Sequence, residues 1–440
     1  MDKFRYIIIQ MSNRKMAVFL AVCLFFFFSP LLTADSQGSN THENYGNIAD
    51  YLNNIYGIDN NAGLTTFPVL NIPMGGRSEG MASAFSAICD DVSFIEYNPA
   101  GSSILEKSEL AFFHNNWIAD TKLEGVAYAN RFGNLGIAAG AKWLYLPFTE
   151  YNIYGERVSN GYYSEGVAIL NTSYNFLSGY YFAGLSLGVS LKGAFRIMPD
   201  YTDEDDNIMS GSGLSQSAVM GMADIGLLTR FNLLKLYTAR EKNASAAFVI
   251  KNLGPPALDE PLPTVVTAAI SYKPIRPLIF AFDFNLPLNL MDISLSELPY
   301  FALGMSINVT NFLSMRTGLM LKAGSSRISV GSAVNLNKIA LDVNYTLDLL
   351  TQLQPMNRVS LGVRFDLGDS GRKQRADKVD ELYLLGLDAY SRGNSSDARY
   401  CWEEALRIDP RFEPAKESLD MLNNREELDQ RIEELFRLDF

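Results

Sequence analysis

The chain has 440 residues, 48% of them hydrophobic and 20% charged, with a net charge of −12 and only two histidines, His42 and His114. At about 150 residues per domain this allows roughly three domains, or one large domain with an appendage, and it excludes a disordered chain. The acidic balance argues against nucleic-acid binding, which needs clustered Lys and Arg, and two histidines leave little for histidine chemistry or a His-rich metal site.

Arg14 and Lys15 precede the apolar run Ala17 to Phe28, and Ser29, Pro30 and the small residue Ala34 follow. A basic head, about a dozen apolar residues and a small residue before a polar stretch predict a secretory signal peptide over 1–34, cleaved after Ala34. The run is short beside the roughly 20 residues of a membrane-spanning helix. Met11 heads a complete signal by itself, so either Met1 or Met11 serves as the start. After cleavage Cys89 and Cys401 remain, in segments assigned to different domains, and their spacing does not point to a disulfide.

Residues 35–107 form the next unit. Within it stand Gly75, Gly76 and Gly80, the small-residue stretch Met81-Ala82-Ser83-Ala84, the acidic pair Asp90 and Asp91, and the run Tyr97-Asn98-Pro99-Ala100-Gly101. Small residues let backbone lie close to a wall, and Asn-Pro sets a turn. Such a segment suits a plug inside a barrel lumen rather than a strand in its wall.

From 108 to 367 the pattern has period two, the signature of strands with one apolar and one polar face. Leu185, Leu187, Val189 and Leu191 alternate with Ser186, Gly188, Ser190 and Lys192; Val359, Leu361, Val363 and Phe365 alternate with Arg358, Ser360, Arg364 and Asp366. About fourteen strands are predicted, at 108–115, 122–132, 135–147, 163–176, 180–196, 216–231, 244–253, 262–273, 276–287, 298–309, 312–323, 326–335, 338–348 and 357–367. An even number of strands near 9–11 residues, with connections alternating between tight and long, is the plan of an outer-membrane antiparallel barrel. The long connections are 148–162 and 197–215, the exceptions a long turn at 232–243 and a short one at Gly324-Ser325. An even barrel puts both chain ends on the periplasmic side. A secreted β-sandwich also alternates, but it needs apolar faces only between two sheets and rarely so many strands in series. Aromatic residues near strand ends, Trp143, Tyr145, Phe148, Tyr162, Tyr163, Tyr180, Tyr181 and Phe182, are candidates for interface girdles.

The Gly-rich stretch, the Ala-rich stretch, the acidic pair and Asn98-Pro99-Ala100, standing in that order before the strands, resemble the N-terminal hatch of the FadL-type outer-membrane transporters of long-chain fatty acids and other hydrophobic compounds. The whole chain is also similar to an uncharacterised treponemal family of FadL-like barrels. The resemblance implies passive uptake: external loops capture a hydrophobic small molecule, which meets the hatch and leaves sideways through a gap in the wall. It makes Gly75, Gly76, Gly80, Asp90, Asp91, Asn98, Pro99 and Ala100 candidate hatch residues, holding the plug or gating it. The same pattern occurs in PorV-like barrels that serve protein secretion, so it specifies architecture better than cargo. The external loop 288–297 carries Leu288, Leu290, Met291, Ile293 and Leu295. These residues either greet an apolar ligand or simply cover the barrel mouth or continue a strand, and the latter reading is the more economical.

After a polar linker, 368–378, residues 379–440 read as a small helical module. Leu385-Gly386, Gly393, Ala398, Trp402, Ala405 and Pro410 resemble the tetratricopeptide repeat, with Ala389 where that repeat usually has Tyr. Small residues let two helices approach, Trp402 fills the gap, and third and fourth helices are expected after Glu413 and over 424–437. One repeat is fewer than the roughly three a free-standing array needs, so the module is expected to pack on the barrel rim, a second copy or a periplasmic protein.

Gly184-Leu185-Ser186-Leu187-Gly188 matches the hydrolase elbow pattern but falls within strict alternation. Asp200, Asp203, Glu204, Asp205 and Asp206 lack the Gly and terminal Glu of a calcium loop. The expectation is therefore a non-enzyme without cofactor or metal, embedded in outer-membrane lipid, that takes up hydrophobic small molecules. The alternative is a barrel that anchors a periplasmic or secreted partner through its helical module.

Overall fold

The computed structural model describes residues 57–117, 120–151, 154–198, 201–202, 208–209, 217–237, 241–350 and 356–438. The expected signal peptide, residues 35–56 and the acidic residues Asp200 and Asp203 to Asp206 lie outside the described residues.

The alternating segments are strands: β1 Ser108–Asn116, β2 Lys122–Phe132, β3 Leu135–Tyr151, β4 Arg157–Phe176, β5 Leu185–Ile197, β6 Tyr201–Thr202, β7 Ile208–Met209, β8 Ala218–Phe231, β9 Ala244–Leu253, β10 Thr264–Ile275, β11 Leu278–Leu288, β12 Tyr300–Asn308, β13 Leu313–Leu321, β14 Ser325–Leu336, β15 Ile339–Leu350 and β16 Met356–Gly368. All but β6 and β7 pair antiparallel with their neighbours, and β1 pairs with β16 to close a barrel of fourteen strands. Strands β6 and β7 form a small separate hairpin in the connection from β5 to β8.

Side-chain polarity across the wall is inverted relative to a soluble sandwich. Leu191 on β5 is 64% exposed while its neighbour Ser190 is fully buried. The same holds on β12, where Leu303, Met305 and Ile307 are exposed and Ala302 and Ser306 are buried, and on β11, where Asp283 and Asn285 are buried. These wall strands turn an apolar row outward and a mainly polar row into the lumen, while β1 to β4 also point apolar residues such as Phe113, Leu123 and Ile169 inward.

The lumen is occupied by residues 67–105. They form no ladder, only short turns: 3-10 segments at Pro68–Asn71, Val92–Glu96 and Pro99–Ser103 and one helical turn, α1, at Arg77–Gly80. Phe67, Met81, Phe85, Phe94 and Leu105 have less than 2% of their surface exposed and share a core with inward residues of β1 to β4, including Phe113, Leu123, Leu144 and Ile169. Facing β13 to β16 the wall is instead charged, with Arg316, Asp342, Asp348 and Arg358 buried.

Residues 57–66 sit at one mouth. Leu298 N donates to Asp59 Oδ2 (2.7 Å), Asn61 Nδ2 to the Ser296 carbonyl (3.1 Å) and Thr66 N to the Pro261 carbonyl (3.0 Å), all in connections after β9 and β11. Three helices, α2 Arg372–Ser391, α3 Ser395–Ile408 and α4 Glu413–Leu438, occupy the opposite mouth. Tyr180 in the turn from β4 to β5 packs on Phe412 (5.2 Å between ring centroids), and Arg411 Nη1 donates to Ser178 Oγ at 2.8 Å.

Several expectations need correction. The expected placement of both chain ends on one side involves residues outside the described ones; of the described residues, 57–66 and the helices lie at opposite mouths, with the inner segment between them. The long loop expected at 148–162 is mostly strand, paired from Phe148↔Gly161 to Tyr151↔Arg157. Strand β5 starts at Leu185 rather than 180, and Tyr180 serves helix docking rather than a girdle. Helix α2 begins at Arg372, inside the expected linker, and the expected third and fourth helices are one continuous helix, with no glycine or proline between Ala415 and Leu438 to break it. No described helix is long and apolar enough to cross a membrane.

Candidate functional site

The candidate site is the interface between the inner segment and the wall. An irregular chain enclosed in a barrel has no ladder for its N–H groups, and each buried one needs an acceptor. Carboxylates supply several of them. Val69 N donates to Glu165 Oε2 (2.9 Å), Met74 N to Glu96 Oε2 (2.8 Å), Ser86 N to Asp283 Oδ2 (3.0 Å) and Val92 N to Glu109 Oε2 (2.8 Å). Glu96 in turn pairs with Lys142 of β3 at 2.6 Å.

The glycine turn carries the charged contacts. Gly76 has φ 74°, and a Cβ there would meet the Phe113 ring at 2.8 Å; Gly75 has φ 129°. A Cβ on Gly80 would lie 2.6 Å from Asn344 Oδ1 and 3.3 Å from the Gly331 backbone. The intervening Glu79, buried, accepts from Arg358 Nε at 2.7 Å, and Asp348 lies 3.9 Å from the same guanidinium. Arg316 and Asp342 pair beside it.

The acidic pair separates. Asp90 is exposed and pairs with Arg77 at 2.6 Å; Asp91 is buried, caps the following 3-10 turn through Ser93 N (2.9 Å) and pairs with Arg364 at 2.5 Å. Burial works against the Asp91 charge, but the Arg364 and Arg77 guanidiniums outweigh it and hold the carboxyl below its usual range.

Asn98, fully buried, accepts from Ala100 N (3.0 Å) and donates to the Ser86 carbonyl (2.9 Å). It thereby starts the turn at Pro99–Ser103, in which Ala100 is also fully buried. This turn rests on the wall at glycines. A Cβ on Gly188 would lie 2.3 Å from the Pro99 carbonyl oxygen, one on Gly226 2.1 Å from Asn98 Oδ1 and one on Gly136 2.1 Å from Ser102. Ser102 Oγ donates to Asn171 Oδ1 (2.6 Å), and Ser103 N to Ser173 Oγ (2.7 Å). The structure therefore brings Gly75, Gly76, Gly80, Asp91, Asn98, Pro99 and Ala100 onto the wall and leaves Asp90 at the edge.

Residues missed by sequence reasoning include these wall glycines, on β3, β5 and β8. A glycine within a strand marks close approach of other backbone, and that signal was available. Also missed is a fault in the wall between β8 and β9. The register shifts between Ala223 and Ile225, and Asn252 has φ 58°. Asn252 N donates to Asp224 Oδ1 (2.7 Å) instead of to a ladder carbonyl, and Lys192 pairs with Asp224 at 2.6 Å. A cavity of about 90 Å³ lies there, lined by Lys192, Lys251 and Asn252 of the wall and by Leu70, Ile72 and Tyr97.

The apolar loop falls at the mouth occupied by residues 57–66. Leu288 ends β11 half-buried, while Leu290, Met291, Ile293 and Leu295 are exposed, Ile293 by 78%. Among the helices, Gly386, Ala398, Trp402 and Ala405 form the seam, and a Cβ on Gly386 would meet Trp402 Nε1 at 2.3 Å. Gly393 turns the chain with φ 80°, and Pro410 is exposed in the next turn. Leu385 does not join the seam and is half-exposed, because adjacent helical positions sit about 100° apart and Gly386 takes the inner one. Ser186 of the elbow-like pattern is buried in the inward row of β5, in extended backbone.

The molecule is thus a closed fourteen-stranded barrel filled by its own N-terminal segment. The chain belongs to an uncharacterised protein family, UPF0164, whose model matches residues 55–370, the inner segment and every barrel strand, and ends before α2. A UPF0164 protein of Treponema pallidum (strain Nichols) is 30% identical over 364 residues, covering 79% of this chain and 80% of the relative. A second from the same organism is 25% identical over 392 residues, covering 82% and 76%. Among solved structures, the chain is similar to the P. putida toluene transporter TodX (TM-score 0.45, 10% identity, 68% of this chain and 100% of that one). It is also similar to the Ralstonia pickettii toluene transporter TbuX (TM-score 0.41, 10% identity, 69% and 99%).

Proposed function

We propose that the protein spans an outer membrane and admits small hydrophobic molecules through its lumen, with residues 67–105 as a hatch. The observation that carries this reading is the inverted wall. Outward apolar rows suit lipid, and closure leaves no unpaired strand edge in hydrocarbon. The inward polar rows hold a separate, irregular segment by side-chain contacts alone, the kind of hold that can be rearranged without breaking a ladder. The apolar residues Leu290, Met291, Ile293 and Leu295 stand at the mouth where the ligand arrives, and the helices mark the periplasmic side. Behind the hatch, the fault at Asp224 and Asn252 is the place where a ligand passes the wall. The cargo class is a long-chain fatty acid or a molecule of similar character.

The test is binding of a long-chain fatty acid to the folded protein in detergent, with a short-chain acid as control. Saturable, chain-length-dependent binding, weakened by Ile293→Asp, is the expected result. Absence of binding by a folded barrel to the fatty acid and to an aromatic hydrocarbon alike overturns the reading.

A second reading has its own observation. The lumen is filled, and Leu384, Leu385 and Leu387 on α2 are exposed. In this reading the helices, taken as one tetratricopeptide-like repeat plus a long third helix, dock a periplasmic or secreted partner. Removing residues 372–440 separates the two: ligand binding survives if the barrel alone transports.

A further inference from the structure

The helices and the barrel rim enclose a cleft of about 340 Å³, lined by Arg131 at the end of β2, Arg372 and Arg375 at the start of α2, and Arg411 before α4. Among the described residues none of these four guanidiniums makes an ion pair. Their acceptors are neutral. Arg131 Nε donates to the Gly133 carbonyl (2.6 Å), Arg372 Nη1 to the Arg131 carbonyl (2.7 Å), Arg375 Nη1 to the Ser370 carbonyl (3.1 Å) and Arg411 Nη1 to Ser178 Oγ (2.8 Å). A guanidinium has five donors, so each keeps N–H groups for another acceptor.

The nearby carboxylates are few, and Glu106, whose charge bears on Arg131 and Arg372, forms no ion pair with either. Asp409 is the one acid lining the cleft, and its Oδ1 accepts from Arg411 N at 3.1 Å. Asp369 caps α2, accepting from Gly371 N (2.9 Å) and Lys373 N (2.8 Å). The first turn of α2 holds no acidic residue, so its arginines sit at the positive end of the helix dipole, where cations are disfavoured. Burial lowers the Arg372 pKa; Asp369 and Glu106 oppose that shift and Arg375 adds to it. A chain with net charge −12 has gathered four arginines where they repel one another.

We propose that this cleft binds a phosphate-bearing anion, its oxygens taken by Arg372, Arg375 and Arg411 with Arg131 behind them. Planar guanidiniums match phosphate oxygens in pairs, which a chloride ion cannot exploit. The location fits a lipid headgroup: Phe132, Leu177, Tyr181 and Phe182 are exposed on the same rim, and such residues mark the membrane interface where headgroup phosphates lie. A free phosphate compound presents the same chemistry.

The test uses the full chain refolded in zwitterionic detergent. Binding of inorganic phosphate and of dihexanoyl phosphatidic acid is measured by calorimetry against sodium chloride at equal ionic strength. Arg375 and Arg411 are exposed; because Arg411 also bonds Ser178, protease resistance of the 369–371 connection first checks that the helices of R375Q/R411Q stay docked, and R372Q, checked in the same way, is the second variant. The expected result is saturable binding of at least one phosphate probe, weakened about tenfold or more in R375Q/R411Q. Binding of the lipid alone assigns a headgroup; equal binding of both assigns the phosphate group itself. Overturning results are no binding of either probe, equal response to chloride, or unchanged binding in both variants.

Discussion

Glu79 and Arg358, 279 residues apart, meet at 2.7 Å inside the barrel, the carboxylate on the inner segment and the guanidinium on the strand that closes the wall. Both are buried, so the pair is shielded from the solvent and salt that weaken surface ion pairs. Glu79→Gln leaves Arg358 with only the more distant Asp348. Hold on the inner segment is expected to fall by about 3 kcal/mol. Conductance of the reconstituted barrel and protease access to residues 67–105 should both rise; no change in either counts against a latch.

The wall glycines make a sharper test because a control is built in. Gly188→Ala puts a methyl group against the Pro99 carbonyl, whereas a Cβ on Gly193, five residues further along β5 and on its outward face, meets nothing within 4 Å. Overpacking of this kind costs about 1–3 kcal/mol. Gly188→Ala is expected to loosen the inner segment and Gly193→Ala to leave it unchanged, read by hydrogen exchange of the Asn98 to Ser103 amides. Equal exchange in the two variants would falsify the close contact.

Acid should act through Asp91. Its folded carboxyl titrates below the unfolded value of 3.8, so its contribution is fully present above about pH 5 and is lost as pH falls through the folded pKa. The inner segment of the native protein is expected to loosen toward pH 3. Asp91→Asn should already be loosened at pH 7 and show a smaller further change on acidification. Parallel pH profiles of permeability for the two proteins would remove Asp91 from the hold.

At the other mouth, Tyr180→Ala removes the ring seated on Phe412. Loss of one aromatic contact at a half-buried site is worth about 1–2 kcal/mol of docking. Cleavage by protease in the 369–371 connection should speed up while the barrel keeps its heat-modifiable mobility on gels. Unchanged cleavage would mean that Arg372 and Arg411 hold the helices without the ring.

Strand number and most strand bounds were legible because lipid-facing and lumen-facing residues alternate, as at Leu185 to Leu191, and period two survives whichever face is apolar. The ends of β3 and β4 were not, because Thr149, Glu150 and Ser159 look like loop residues and only cross-strand pairing shows otherwise. Asn98 and Pro99 were legible as a turn, since their chemistry is local. The division of labour between Asp90 and Asp91 was not, because it depends on Arg364, which lies 273 residues further on and reaches Asp91 only when the barrel closes. The fault at Asp224 and Asn252 escaped for the same reason: a register shift belongs to two strands, and neither carries it alone.

The fit of Pro99 on Gly188, Asn98 on Gly226 and Ser102 on Gly136 has a consequence for descent. The inner segment and the wall are mould and casting, and a side chain gained on either must be matched on the other. Such parts are inherited together. Grafting residues 57–107 from a relative about 30% identical would import a casting shaped in a different mould, and glycines would be kept at these three wall positions even where the outward rows have drifted freely.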